Sequence, residues 1–372
     1  MDDHRIVLIG GGHSHVLVLR AFAERPEPRV RLTLVSDRLE APYSGMLPGH
    51  IAGLYTRAAM HIDLQGLAAR CAADIVPQAA VGIDRTGRRV VLADGSLVPY
   101  DTLSLNIGIT PDRSSVRGAD RYALALKPIG SLLAKLDEAF GGAGAPTGPG
   151  RILVVGGGPA GVEIALALRA RLTRGARQPW IGIATGRGLV PRLNHRARSK
   201  LAMILARKNI EVLSPCRIDE VHPDGARDHD GRWIAADLTI MATAARGQPW
   251  LAGTDLPLSA DGSVMVRSTL ACTGDDAVFA AGDCAELMGE PLEKAGVYAV
   301  RQGPVLAQNL RRRSRGEPPI AYRPQGRALS ILSTGDGRAV AAWGDGFAVE
   351  GRWVWWWKDW IDQRFVGGFS VR

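Results

Sequence analysis

The chain of 372 residues is long enough for two or three domains with full cores, and 46% apolar with 22% charged residues is globular composition, which excludes wholesale disorder. Lys plus Arg (46) exceed Asp plus Glu (37) for a net charge of +9, which suits phosphorylated cofactors or anionic lipid; no zinc-ligand spacing or nucleic-acid motif accompanies it, so no nucleic-acid partner is expected. Four scattered cysteines without a C-x-x-C pair, no signal peptide and no apolar run of transmembrane length predict a cytoplasmic protein, at most peripheral on the inner face of the membrane.

Arg5-Ile6-Val7-Leu8-Ile9 opens the chain as a nearly continuous apolar run, the pattern of a parallel strand buried on both faces. Gly10-Gly11-Gly12-His13-Ser14-His15 follows, and Val16 to Leu19 continue as a helix with Arg20 and Glu24 on its polar side. Strand, glycine-rich turn and helix are the context a dinucleotide fingerprint needs, with the pyrophosphate on N–H groups at the helix N-terminus. Gly10 and Gly12 hold the first two glycine positions, and His15 stands in the third, where an imidazole N–H could reach a phosphate. His13 lies two residues before His15 and points elsewhere on a helix, so the two share no metal. A second strand, Val30 to Val35, ends at Ser36-Asp37, where an acid normally binds the adenosine ribose; either residue can serve. Asp94-Gly95-Ser96 reads as a hairpin turn, and Tyr100 to Gly108 as a further strand.

Gly141 to Gly150 is a flexible linker by composition. It precedes the strand Arg151 to Val155 and a complete G-x-G-x-x-G at Gly156, Gly158 and Gly161, with Glu163 just inside the following helix. The next strand, Trp180 to Ala184, ends in Thr185-Gly186-Arg187, and no acidic residue occurs from Ile164 through Asn209. An NAD site wants a carboxylate on the ribose 2′-OH, whereas an NADP site wants that acid absent and a cation nearby. Thr185 and Arg187 fit the second description; a basic surface helix beside an unselective site is the alternative. Ala236 to Ala244 closes this unit, and Asp261-Gly262 turns the chain back to Val278-Phe279-Ala280-Ala281-Gly282-Asp283.

Two nucleotide-binding openings followed by a late strand ending in Gly-Asp predict an α/β flavoprotein. It would have two Rossmann-like dinucleotide-binding domains, the second inserted in the first, and a short C-terminal tail region. The expected segments are 1–115 and 263–325 for the FAD-binding domain, 116–262 for the NAD(P)-binding domain, and 326–372 for the tail. The Asp283 carboxylate would accept hydrogen bonds from the ribityl chain, and Gly282 lets the cofactor approach closely. In the tail, Trp353, Trp356, Trp357, Trp360 and Ile361 share one helical face, while Lys358, Asp359, Asp362 and Gln363 take the other. Such a helix could close over the flavin domain, anchor at a membrane surface, wall an acceptor pocket or form a homodimer contact.

With these residues assembled, the chain resembles the pyridine nucleotide-disulfide oxidoreductase superfamily. Disulfide reductases of this architecture carry paired redox cysteines beside the flavin; here that region reads Pro42-Tyr43-Ser44-Gly45-Met46-Leu47-Pro48 and has none. That cysteine-free face is similar to type II NADH dehydrogenases. Gly10 to Val16, Pro42 to Pro48 and His61 to Leu64 further resemble a subfamily often found fused ahead of selenophosphate synthetase. The resemblance implies FAD, NAD or NADP, and a quinone-like small-molecule acceptor that takes electrons from the flavin directly. By position it also implies cofactor contacts at Ser44 and Gly45, and at Asn106 and Gly108, which end the strand that usually closes in Ala-Thr-Gly. Gln302 and Gly303, ahead of a helix from Val305 to Leu310, would approach the pyrimidine end of the isoalloxazine. Glu163 would face the nicotinamide–flavin contact and Lys127 would lie near the flavin. The alternatives are a sulfide- or selenide-oxidising flavoprotein, for which only Cys284 is near the flavin, and a non-enzymatic flavin-dependent sensor or partner subunit.

Overall fold

Four consecutive apolar residues, Ile6 to Ile9, are all buried, because helices cover both faces of the parallel sheet they build. The computed structural model describes residues 3–112, 115–140, 148–173, 178–243, 245–290 and 292–369. In chain order, β1 (His4–Ile9) leads into α1 (His13–Glu24), then β2 (Val30–Val35), β3 (Asp74–Val76) and β4 (Thr102–Leu105). A second set follows: β5 (Ala123–Ala125), β6 (Arg151–Val155), α2 (Pro159–Leu172), β7 (Trp180–Ala184), α3 (His195–Arg207), β8 (Ile210–Leu213) and β9 (Leu238–Met241). The chain returns with β10 (Val264–Val266), β11 (Ala271–Cys272), β12 (Asp275–Ala280), β13 (Ala285–Leu287) and α4 (Gly296–Ser314). It closes with the antiparallel strands β14 (Ser330–Ser333), β15 (Ala339–Trp343) and β16 (Phe347–Gly351), and with α5 (Arg352–Gly367).

The first sheet has the order β13-β10-β11-β12-β4-β1-β2-β3, and the second β5-β9-β6-β7-β8. Late strands thus return to the sheet that the first residues began. Register then places the site. Ile9 stands level with Val35 and Leu105, and Leu105 with Ala280, so Gly10, Ser36, Asn106 and Gly282-Asp283 leave along one carboxyl edge. In the second sheet Val155 is level with Ala184 and Met241, and Met241 with Ala125. Gly156, Thr185 and Lys127 therefore follow the carboxyl ends of that sheet, the edge at which open α/β sheets bind ligands.

The helix expected from Val305 begins already at Gly296 and runs through Pro304 to Ser314. The small residues before Pro304 extend the helix because they pack on α1: Leu17 lies so close to Gly303 that an added Cβ would come within 2.6 Å of its Cδ1. Of the linker expected at Gly141 to Gly150, residues 141–147 lie outside the described residues, as does Ala244 of the expected closing strand. Among the described residues, no helix is long and apolar enough to cross a membrane.

The tail departs most from expectation. Its helix forms, but the inward face consists of Val354, Trp355, Lys358, Asp362 and Val366. Trp353, Trp356, Trp357 and Trp360 point outward with 52%, 64%, 36% and 57% exposure. Val354 and Trp355 pack on Ala339 and Ala341 of β15, and Trp355 stacks on Tyr55 at 5.6 Å. Lys208 of the second unit pairs with Asp336 at 2.6 Å, while Tyr55 of the first donates to Asp359 at 2.7 Å. The tail therefore rests on both units.

Candidate active site

At the first glycine turn, Asn106 works as an internal clip. Its Oδ1 accepts from the N–H groups of Ser14 (3.0 Å) and His15 (3.3 Å), and its Nδ2 donates to the Ala281 carbonyl at 2.6 Å. One side chain thus ties the start of α1 to the strand that delivers Asp283. His15 is fully buried: its Nδ1 meets the Gly10 carbonyl at 2.6 Å and its Nε2 meets the Ser104 hydroxyl at 2.8 Å. A carbonyl can only accept, so Nδ1 carries the proton and Ser104 donates to Nε2. Burial pulls the His15 pKa down to about 4, against the raising effect of the Gly10 bond. Both ring nitrogens are therefore committed inside the turn instead of reaching out to a phosphate.

Gly282 has φ +71, and Gln302 accepts its N–H at 2.6 Å. Gln302 and Gly303 sit inside α4, not at its N-terminus, so they set the Gly-Asp turn and the helix packing; Gly296 takes the N-terminal place. Asp283 meets Lys127 at 2.7 Å, an ion pair that joins the edges of the two sheets. His13 lies beside both, its pKa lowered to about 4 by burial first, with Asp283 opposing and Lys127 adding. Its ring packs edge-on against Tyr43 at 5.2 Å and Phe365 of α5 at 5.9 Å. Ser44 and His13 both flank Gly296. His13, Ser44, Lys127 and Asp283 thus line one crevice.

Ser36 turns inward and donates to the Arg38 carbonyl at 2.7 Å, whereas Asp37, which follows it at the end of β2, is exposed. Gly12 caps α1 without a side-chain cap, and Gly108 faces open space. At the second turn Gly161 packs against the Gly156 carbonyl, where a Cβ would collide, and Gly158 fronts open space ahead of α2. A carboxylate at Asp283, a glycine turn at each carboxyl edge and α1 and α2 pointing their N-termini at those turns fit FAD on the first sheet and a second dinucleotide on the other. Among the described residues, no cluster of His, Cys, Asp and Glu could hold a metal ion.

Beside this crevice the inner face of α5 builds a second set of groups. Buried Lys358 donates to Asp362 at 2.6 Å and to the Gly45 carbonyl at 2.7 Å. The Tyr43 hydroxyl is within hydrogen-bonding reach of Asp362, and burial followed by that carboxylate raises the phenol's pKa. Burial likewise raises Asp362, against Lys358. Glu163 accepts the Ser333 N–H at 2.7 Å and is pushed up to about 7 by burial, with Lys358 opposing. A carboxyl that titrates near neutrality can carry a proton in either direction at working pH.

A protein-family model described as pyridine nucleotide-disulphide oxidoreductase matches residues 4–311. The chain belongs to that family. It is 22% identical over 344 residues to the NADH dehydrogenase-like protein YutJ of Bacillus subtilis (strain 168), covering 89% of each chain. It is 28% identical over 197 residues to the type II NADH:quinone oxidoreductase of Haemophilus influenzae, covering 48% of this chain and 44% of that one. The solved structure of NDH2 from Plasmodium falciparum in complex with NADH superposes with a TM-score of 0.82 at 14% identity, over 99% of this chain and 97% of that one, a likeness of fold.

As a member of the pyridine nucleotide-disulphide oxidoreductases, the protein is an FAD-dependent NAD(P)H oxidoreductase. Its four cysteines are free, and burial raises the pKa of each thiol, Cys284 to about 11. Cys284 donates to the Ala281 carbonyl at 3.3 Å, as a packed core residue does. Tyr43, Lys358 and Asp362 are the residues that sequence reasoning missed as a unit. The available signal was Lys358 and Asp362 at i and i+4 within a helix otherwise crowded with tryptophan.

Proposed function

We propose that this enzyme oxidises NAD(P)H and reduces a quinone-like acceptor that enters between the Tyr43-Ser44-Gly45 segment and α5. The carrying observation is the buried set of Tyr43, Lys358 and Asp362 at a face that holds no cysteine. FAD supplies the two-electron relay between nicotinamide and acceptor. Around it, Asp283 holds the ribityl hydroxyls and Lys127 balances that carboxylate. Glu163 holds a proton at its carboxyl, and Tyr43 with Asp362 orients a carbonyl-bearing acceptor. The type II NADH:quinone oxidoreductase among the relatives supports a quinone.

The same helix carries the second part of the reading. Four outward tryptophans on a protein of charge +9 suit the headgroup layer of an anionic membrane, where a quinone partitions. The expected units, 1–115 with 263–325 and 116–262, then present their shared crevice beside that layer. Stopped-flow with the FAD-loaded protein separates the half-reactions. Asp362→Asn and Tyr43→Phe should slow oxidation by a soluble quinone about tenfold, while NAD(P)H bleaches the flavin as fast as in the wild type. Equal slowing of both half-reactions, or of neither, would sink the acceptor assignment.

A further inference from the structure

His13 lines the crevice with Ser44, Lys127 and Asp283, yet the reaction above gives it no task. Among the described residues, neither of its ring nitrogens has a hydrogen-bond partner. Both nitrogens of His15, two positions on, are committed inside the turn. The His13 ring stands edge-on to Tyr43 at 5.2 Å and to Phe365 at 5.9 Å, so aromatic walls flank it. Its Nδ1 faces Gly296: a Cβ built on that glycine would lie 3.5 Å away. Gly296 opens α4, and no acid occupies the first turn of that helix. The neighbouring elements bring three kinds of charge-bearing group to the ring. The end of β12 supplies the Asp283 carboxylate and the end of β5 the Lys127 ammonium. The Tyr43-Ser44 segment supplies a phenol, which Asp362 of α5 engages. Asp283 and Lys127 largely offset each other at 2.7 Å, so burial decides the state of the imidazole and keeps it neutral, with a pKa lowered to about 4. A neutral, unpartnered imidazole in such a place gains affinity for a proton when a negative charge arrives beside it.

Resting on the NAD(P)H-to-quinone reading above, we propose that His13 carries the second proton of that reaction. A quinone leaves as a hydroquinone after gaining two electrons and two protons. The hydride of NAD(P)H brings both electrons and one of those protons by way of FAD. Reduction therefore leaves one negative charge in the crevice, and His13 compensates it by taking one proton from solvent. When the electrons pass to the quinone, the ring gives that proton to the second quinone oxygen and is neutral again. Tyr43 borders both the ring and the proposed acceptor face.

Two measurements on the FAD-loaded protein test this without turnover. With isotope-labelled histidine, the NMR signals that His13→Asn removes should report a neutral ring at about pH 7. After reduction by dithionite the same signals should report a protonated ring. Potentiometry supplies the second measurement, because each proton bound moves a two-electron potential by about 30 mV per tenfold change in proton concentration. The wild-type flavin potential should fall by about 60 mV per pH unit around neutrality, and that of His13→Asn by about 30 mV. His13→Gln takes the place of His13→Asn should the latter fail to retain FAD. A ring that keeps one protonation state through reduction overturns the proposal, as does a variant with the wild-type slope. Loss of that slope in Glu163→Gln assigns the proton to Glu163 and overturns it equally. If NAD(P)H does not bleach the flavin, the donor reading fails instead, and reduction by dithionite still decides the role of His13.

Discussion

Asp283 serves two purposes through one carboxylate. Its distance of 2.7 Å from Lys127 couples the two sheets, and its place after Gly282 is where, on the proposed reading, it would accept from the ribityl hydroxyls. Asp283→Ala should leave both Lys127 and those hydroxyls without a partner, at a cost of about 1–3 kcal/mol, so the flavin-to-protein ratio after gel filtration should drop well below one. Full retention of the yellow cofactor would show that the Gly-Asp turn does not hold it. Glu163 makes a different kind of prediction. Its carboxyl titrates near 7 in the folded protein but near 4.5 when unfolded, so the unfolded chain binds fewer protons between those values. The native state therefore loses stability as pH rises from about 4.5 to 7, by roughly 3 kcal/mol at most, and keeps the full contribution below that window. Glu163→Gln still accepts the Ser333 N–H yet cannot ionise. Thermal melts at about pH 5 and pH 8 should show a wild-type decline that the variant lacks.

At the scale of the element, α5 has its polarity reversed relative to an ordinary surface helix. Periodicity sets the angle between its aromatic and charged stripes, but the stripe that ends up inside depends on what lies beneath. Here the Gly45 carbonyl and the Tyr43 hydroxyl offer polar partners, so Lys358 and Asp362 turn inward. Removing one member of a buried pair strands the other charge: Lys358→Met should cost about 3–5 kcal/mol, read as a lower Tm. Adding Asp362→Leu should recover most of that loss, and a double variant no better than the single would mean that the pair is not the cause. The outward stripe is independent of this. Trp356→Ser with Trp360→Ser should leave Tm near the wild-type value, because both rings are exposed, while weakening co-sedimentation with anionic liposomes by about tenfold per ring. A wild-type protein that ignores such liposomes at low salt would end the anchoring idea.

Across the whole molecule, the crevice exists because distant segments arrive at shared edges. Gly10 and Asp283 meet through the register of β1, β4 and β12, and Asn106 bolts them together. Lys127 enters from the second sheet and Phe365 from the tail, so no single unit contains the complete site. Strand identity, both glycine turns and the Gly-Asp end were legible in the sequence because they depend on local order: apolar runs for parallel strands, small residues where backbones must approach, an acid where hydroxyls need an acceptor. Local order also put Glu163 and Lys127 among the residues to watch. It did not reveal that His15, Asn106 and Gln302 spend their polar atoms on the protein itself, since their partners lie up to 175 positions away. Nor did it reveal where α4 starts, because Gly296, Gly303 and Pro304 are poor helix formers, and Gly303 is tolerated where the helix packs on Leu17 of α1. The face that α5 turns inward was decided only by tertiary structure. Burial, unlike periodicity, is a property of what a surface meets, and a helix's own sequence does not contain its neighbour.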